Sequence, residues 1–172
     1  MTGPVPGQNP PGPGKRRIIG IDPGLAFTGW GIVDYEKSRL HYLAHGCIET
    51  GTAQPRAERL FFIYRQINTV LDTYNPTEAA METLYFGQNV TSAITVAEAR
   101  GVLSLAMAER NLPLAEFTPQ AIKQAVVGVR RAEKEQVQEM VRIILGLPVI
   151  PRPDHAADAL GVAMCLAHTP GF

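Results

Sequence analysis

A mixed α/β sheet covered by helices on both faces is the fold class that the sequence predicts. Three observations point to it: the chain opens with a meander of strand-like segments, later strands alternate with helical segments, and no segment repeats. A meander followed by helical crossovers puts antiparallel and parallel pairing into one sheet, here of five strands. At 172 residues the chain suits one sizeable core and is too short for two large lobes.

The elements follow in order. The first fourteen residues, MTGPVPGQNPPGPG, hold five prolines and four glycines and cannot bury a core. Residues 1–15 are therefore expected to form a disordered tail and residues 16–172 a single domain; the tail also lacks the charged start and apolar stretch of a secretion signal. Ile18, Ile19 and Ile21 read as a buried strand, stopped by the turn signal Pro23-Gly24. Thr28–Val33, with Gly29 and Gly31, continues it as a hairpin, and Leu40–Ile48 is a third strand.

The period then changes. Leu60, Ile63, Tyr64, Ile67, Leu71 and Tyr74 mark one face of a helix that begins near Pro55 and stops before Asn75-Pro76. Glu78–Glu82, EAAME, reads as a short central strand. Val90–Arg110 has no proline and is rich in alanine, leucine and valine, which predicts a long helix. Gly101 inside it costs about 1 kcal/mol relative to alanine, which close packing against another element or a second subunit would justify. Leu112–Phe117 is the fifth strand, Pro119–Val126 a short helix, and Val137, Met140, Val141, Ile144 and Leu145 stripe another; the last helix starts near Asp154.

With 45% hydrophobic residues and no apolar stretch long enough to span a bilayer, the sequence predicts a soluble, cytoplasmic protein with no membrane partner. Lysine plus arginine balances aspartate plus glutamate at 16 each, so any basic surface for nucleic acid must be local. Cys47 and Cys165 fit no zinc or redox spacing and read as core residues of a protein in a reducing compartment.

Asp22 closes the first strand and Glu82 closes the fourth. In parallel strands both carboxylates emerge at one sheet edge. Alone, Asp22 reads as a turn aspartate bonded to its own loop. In PDHAADAL, Pro153–Leu160, Asp154 suits a helix N-cap, whereas His155 and Asp158 share one helical face. By themselves Asp158 reads as a favourable dipole contact and His155 as a half-buried imidazole.

GIDPGLAFTGWG, METLYF, ARG at Ala99–Gly101, KQAVVG at Lys123–Gly128, AEKEQVQEMV and HAADAL stand in this order along the chain. In that order and approximate spacing they resemble the RuvC-type Holliday junction resolvases, from about Arg17 to the last helix. The resemblance implies a ribonuclease H-like fold and a homodimer whose subunits each nick one of two symmetric strands of four-way junction DNA. It implies a role in recombination and repair, with the RuvA and RuvB branch-migration proteins as partners, and 5′-phosphate and 3′-hydroxyl ends. It places Asp22, Glu82, His155 and Asp158 as the catalytic, metal-binding quartet, although many members carry aspartate where this chain has His155.

In-line phosphodiester hydrolysis is served by two divalent ions about 3.5 to 4 Å apart that neutralise the attacking and leaving oxygens, and carboxylates suit Mg²⁺ or Mn²⁺. Imidazole is the softer ligand, so His155 tilts the expectation toward Mn²⁺. Tyr85 and Phe86, in the loop after Glu82, read as core rings or, with the resemblance, as rings that stack on an unpaired base. Lys123 and Lys134 match family lysines that contact DNA phosphates; Arg130 and Arg131 join them on charge alone. Lys15, Arg16 and Arg17 read as weak backbone contacts or as a solubilising flank. Two rivals remain: an actin-like phosphotransferase or ATPase, which the chain is too short to build, and a junction-binding protein without catalysis.

Overall fold

The structure, a computed structural model, describes residues 11–84 and 90–170. Tyr85 and Phe86 lie outside the described residues. Among the described residues ten elements follow one another: β1 (Arg16–Asp22), β2 (Phe27–Glu36), β3 (Arg39–Glu49), α1 (Arg56–Tyr74), β4 (Glu78–Glu82), α2 (Val90–Ala108), β5 (Leu114–Phe117), α3 (Pro119–Val127), α4 (Lys134–Ile144) and α5 (Asp154–Ala167). The strands form one five-stranded sheet in the order β3-β2-β1-β4-β5. β1, β2 and β3 pair antiparallel, whereas β1 with β4 and β4 with β5 pair parallel. The expected mixed sheet is thus observed, with β1 at its centre.

Alternation along β1 separates two cores. Ile19 and Ile21 face α1 and α2, where they meet Ile63, Ile67, Leu103 and Met107; Ile18 faces α3, α4 and α5, where it meets Ile122, Val141 and Leu160. Local chemistry sets the helix ends. Asn75 closes α1 in the left-handed region at φ 48°, its N–H donating to the Leu71 carbonyl, and Pro76 bars continuation. Thr118 caps α3 by accepting from Ala121 N–H, and Glu133 and Gln136 cap α4 reciprocally.

Helix α5 decides where the site falls. It crosses the sheet so closely that a Cβ at Gly20 would lie 2.0 Å from the Ala159 carbonyl oxygen, and one at Gly29 2.0 Å from that of His155. Only glycine fits at these two contacts, and the helix answers with buried Ala156, Ala157, Ala159 and Ala163. Its first turn therefore rests on the strand ends that carry Asp22 and its cross-strand partner Gly29.

Several expectations need correction. β5 begins at Leu114, because Leu112 N–H is spent on the Met107 carbonyl at the end of α2. Asp154 is the first residue of α5, with Pro153 in the cap position, and its carboxylate pairs with Arg152 and Lys134. Lys15, Arg16 and Arg17 are no loose flank: Arg17 is buried on Asp34, Arg16 pairs with Glu78, and Lys15 reaches Asp34 at 2.6 Å. Among the described residues Gly101 meets nothing within 4 Å of a Cβ position, so none of their elements packs closely there. Cys165 is buried as expected but Cys47 is only half-buried; both thiols are free and burial pushes each up to about 11.

Candidate active site

β1 and β4 run parallel with Ile21 opposite Met81, so Asp22 and Glu82 leave the sheet level with each other. α5 adds His155 and Asp158 from one face of its first turn. His155 Nδ1 lies 2.7 Å from Asp22 Oδ2, and Asp22, His155 and Asp158 each offer a ligand atom within 4.8 Å of the others. Two carboxylates and an imidazole at this spacing fit a divalent cation such as Mg²⁺ or Mn²⁺. Glu82 stands outside that set of atoms and shares a cleft of about 270 Å³ with Asp158, Lys123, Lys134 and Val137.

The electrostatics are those of a crowded acidic site. Burial pushes the Glu82 carboxyl up to about 7, the charges of Asp22 and Asp158 add to the rise, and Arg100 and Lys123 oppose it. Asp158 is raised as well, by burial first and by Asp22, against the pull of Lys134 and His155. His155 is raised chiefly by its hydrogen bond to Asp22. Lys134 Nζ sits 3.1 Å from Asp158 and 3.6 Å from Asp154; burial pulls Lys134 down, but those two acids outweigh it and raise it.

The basic residues divide between two clefts. Lys123 lines the acidic cleft and also a larger one of about 1010 Å³, which Arg130 and Arg131 line as well. Neither arginine lines the acidic cleft. Two neighbours of the site had no role assigned from sequence. Arg100, in the ARG stretch of α2, donates to the Glu82 carbonyl and to Glu116 Oε1, tying the end of β4 to β5. Phe27 lies flat against His155. Both contacts link residues far apart in the chain, which no local spacing encodes.

The family model for crossover junction endodeoxyribonuclease RuvC matches residues 18–166, which takes in every strand but the first two residues of β1, and nearly all of α5. This chain belongs to the RuvC family. The crossover junction endodeoxyribonuclease RuvC of Heliobacterium modesticaldum is 49% identical over 152 residues, 88% of this chain and 94% of that protein. Among solved structures, Thermus thermophilus RuvC superposes with a TM-score of 0.80 at 35% identity, and T. thermophilus RuvC in complex with Holliday junction substrate with 0.82 at 34%. Each match covers 87% of this chain and 92% of the other. The fold is accordingly the ribonuclease H-like fold of RuvC proteins, and the chain is an enzyme of that family. A RuvC family match over residues 18–166 leaves the actin-like ATPase reading without support.

Proposed function

We propose that this protein is a metal-dependent endonuclease that resolves four-way DNA junctions by paired symmetric nicks in recombination and repair. The observation that carries the reading is the convergence of Asp22, His155 and Asp158 within 4.8 Å, beside Glu82, in a chain of the RuvC family. These four residues would hold two divalent ions, Mg²⁺ or Mn²⁺, which when bound neutralise charge on the attacking and leaving oxygens of a phosphodiester. Asp22 and Glu82 hang from strand ends and His155 and Asp158 from one helical turn, so the donors are rigid before substrate arrives.

Lys134 partly offsets the negative charge at Asp158, and Lys123 faces the same cleft as a contact for a phosphate beside the scissile bond. Arg130 and Arg131 offer backbone contacts in the larger cleft. Tyr85 and Phe86 follow Glu82 and are suited to stacking on an unpaired base. A homodimer would give one site per strand. Ile94 and Leu105 of α2 are half exposed and lie on one stripe with Gly101, and Phe61 of α1 is exposed too; an apolar stripe with an open glycine suits a second copy. RuvA and RuvB are the expected partners, and the cytoplasm the expected location; among the described residues no helix is long and apolar enough to cross a membrane.

The test incubates the purified protein with a synthetic four-way junction and with linear duplex, with and without divalent metal. Paired nicks in the junction alone, dependent on metal, are expected. Junction binding without cleavage in Mn²⁺ would overturn the nuclease and leave a binding protein.

A further inference from the structure

Phe27, the first residue of β2, is 43% exposed and belongs to neither buried cluster. Its ring lies on the imidazole of His155 with centroids 5.4 Å apart and planes 9° from parallel. Strand geometry brings the two together. Residues 27 and 29 of β2 share one face, and at Gly29 the α5 backbone is pressed against the strand, so the side chain two residues earlier has the imidazole as its neighbour. A large apolar ring kept half in solvent contributes little to the core. What it covers is one face of His155.

The same imidazole is held at its edge by Asp22, Nδ1 to Oδ2 at 2.7 Å. A carboxylate only accepts, so Nδ1 carries the proton and the neutral ring keeps its lone pair on Nε2. One hydrogen bond fixes one atom and leaves the ring able to tilt or to turn over. A flat aromatic face against it opposes both movements.

We infer that Phe27 is a positioning residue: by stacking on His155 it holds the imidazole plane, so that Nδ1 stays on Asp22 and Nε2 alone is left for a divalent ion or a reacting proton. The inference rests on reading Asp22, His155 and Asp158 as the site. It concerns the shape of the site before any ion or DNA binds.

The experiment records long-range ¹H–¹⁵N spectra of the four histidines in the full chain, with chelator at mildly alkaline pH. Wild type is compared with Phe27→Ala, Phe27→Leu and Phe27→Tyr, and kcat and KM on a four-way junction are measured with Mn²⁺. In wild type, His155 is expected to show a protonated Nδ1, an unprotonated Nε2 and ring protons shifted upfield by the stacked ring. In the alanine and leucine variants the upfield shift should vanish and both nitrogens should move to intermediate values. Their kcat should fall about tenfold at unchanged KM, the size of effect typical of residues that orient a metal ligand. Tyrosine should restore all of these, and leucine keeps the apolar bulk if alanine disturbs the fold. A wild-type His155 spectrum and kcat in both Phe27→Ala and Phe27→Leu would overturn the inference. Raised KM with unchanged kcat would overturn it too, making Phe27 a DNA contact. Because the spectra need neither metal nor cleavage, failure of the nuclease reading would appear separately, as wild-type protein that does not cut.

Discussion

Strand β1 carries charge near both ends, and the two ends treat it in opposite ways. At its start Arg17, 4% exposed, donates to both oxygens of the fully buried Asp34 at 2.8 and 3.2 Å and to the Tyr74 carbonyl at 2.7 Å, and Lys15 adds a second cation. At its far end Asp22, Glu82 and Asp158 converge, and Lys134 is the only lysine or arginine ion-paired to any of the three among the described residues. The first end is balanced: every buried charge has a partner inside the chain. At the second, one direct Lys134 pair serves three clustered acids, and burial first, then the charges of Asp22 and Asp158, pushes the Glu82 carboxyl up to about 7 against Arg100 and Lys123. A buried acid ion-paired inside the chain serves the fold, whereas clustered acids short of direct ion pairs either hold protons or draw a cation from solution.

The widest contrast comes from removing one acid at each end. Asp22→Asn should lower the cleavage rate by roughly 10³-fold or more, about 4 kcal/mol of transition-state stabilisation, with junction affinity and melting temperature nearly unchanged. Asp34→Asn should do the reverse, losing about 3 to 5 kcal/mol of stability because the buried Arg17 guanidinium loses its carboxylate, while whatever remains folded still cuts. Denaturant melts alongside single-turnover cleavage separate the two. Matching effects from both substitutions would erase the distinction between the ends.

A smaller effect sharpens the cost of keeping a carboxylate half-buried among other acids at the far end. The folded pKa of Glu82, about 7, lies above the 4.5 of an unfolded glutamate, so the folded state binds this proton more tightly. Glu82 therefore opposes folding increasingly as pH rises from about 4.5, fully so above about 7. In metal-free protein Glu82→Gln should be more stable than wild type by up to about 3 kcal/mol at pH near 8, and the gain should disappear at pH near 4.5. A pH-independent difference would show that neither burial nor the neighbouring acids raise the Glu82 carboxyl.

Next in size is the segment that follows Glu82 in the sequence. Tyr85→Ala or Phe86→Ala should weaken junction interaction by roughly 1 to 3 kcal/mol and slow cleavage without unfolding. A large fall in melting temperature for both would make them core rings. The smallest effect concerns metal choice: Mn²⁺ should support faster cleavage than Mg²⁺, and His155→Asp should narrow that ratio by restoring an oxygen ligand. An unchanged ratio in an active His155→Asp protein would remove His155 from the ligand set.

The balanced end was the less legible of the two in the sequence. Asp22, Glu82, His155 and Asp158 could be grouped because two strand ends and one helical turn are local patterns, and the order of motifs supplied the rest. Arg16 and Arg17 read as a basic flank because their partners Glu78, Asp34 and Tyr74 are set by pairing and crossover, not by spacing along the chain. The same holds for Arg100 at the end of β4 and for Lys134 on Asp158. Asp154 was misread for another reason: Pro153 already occupies the cap position, and the carboxylate finds cations on either side. Strand β4 was read to the residue because Pro76 bounds it on one side and Glu78 and Glu82 flank its short apolar centre.

The central claim, that the unbalanced end exists to take up a divalent cation, is tested most directly by titrating Mn²⁺ into the protein without DNA and following free Mn²⁺ by electron paramagnetic resonance. Wild type should take up the ion, and Asp22→Asn, equally folded, should bind it at least about tenfold more weakly. Equal uptake by the two proteins, or no uptake by wild type, would contradict the account.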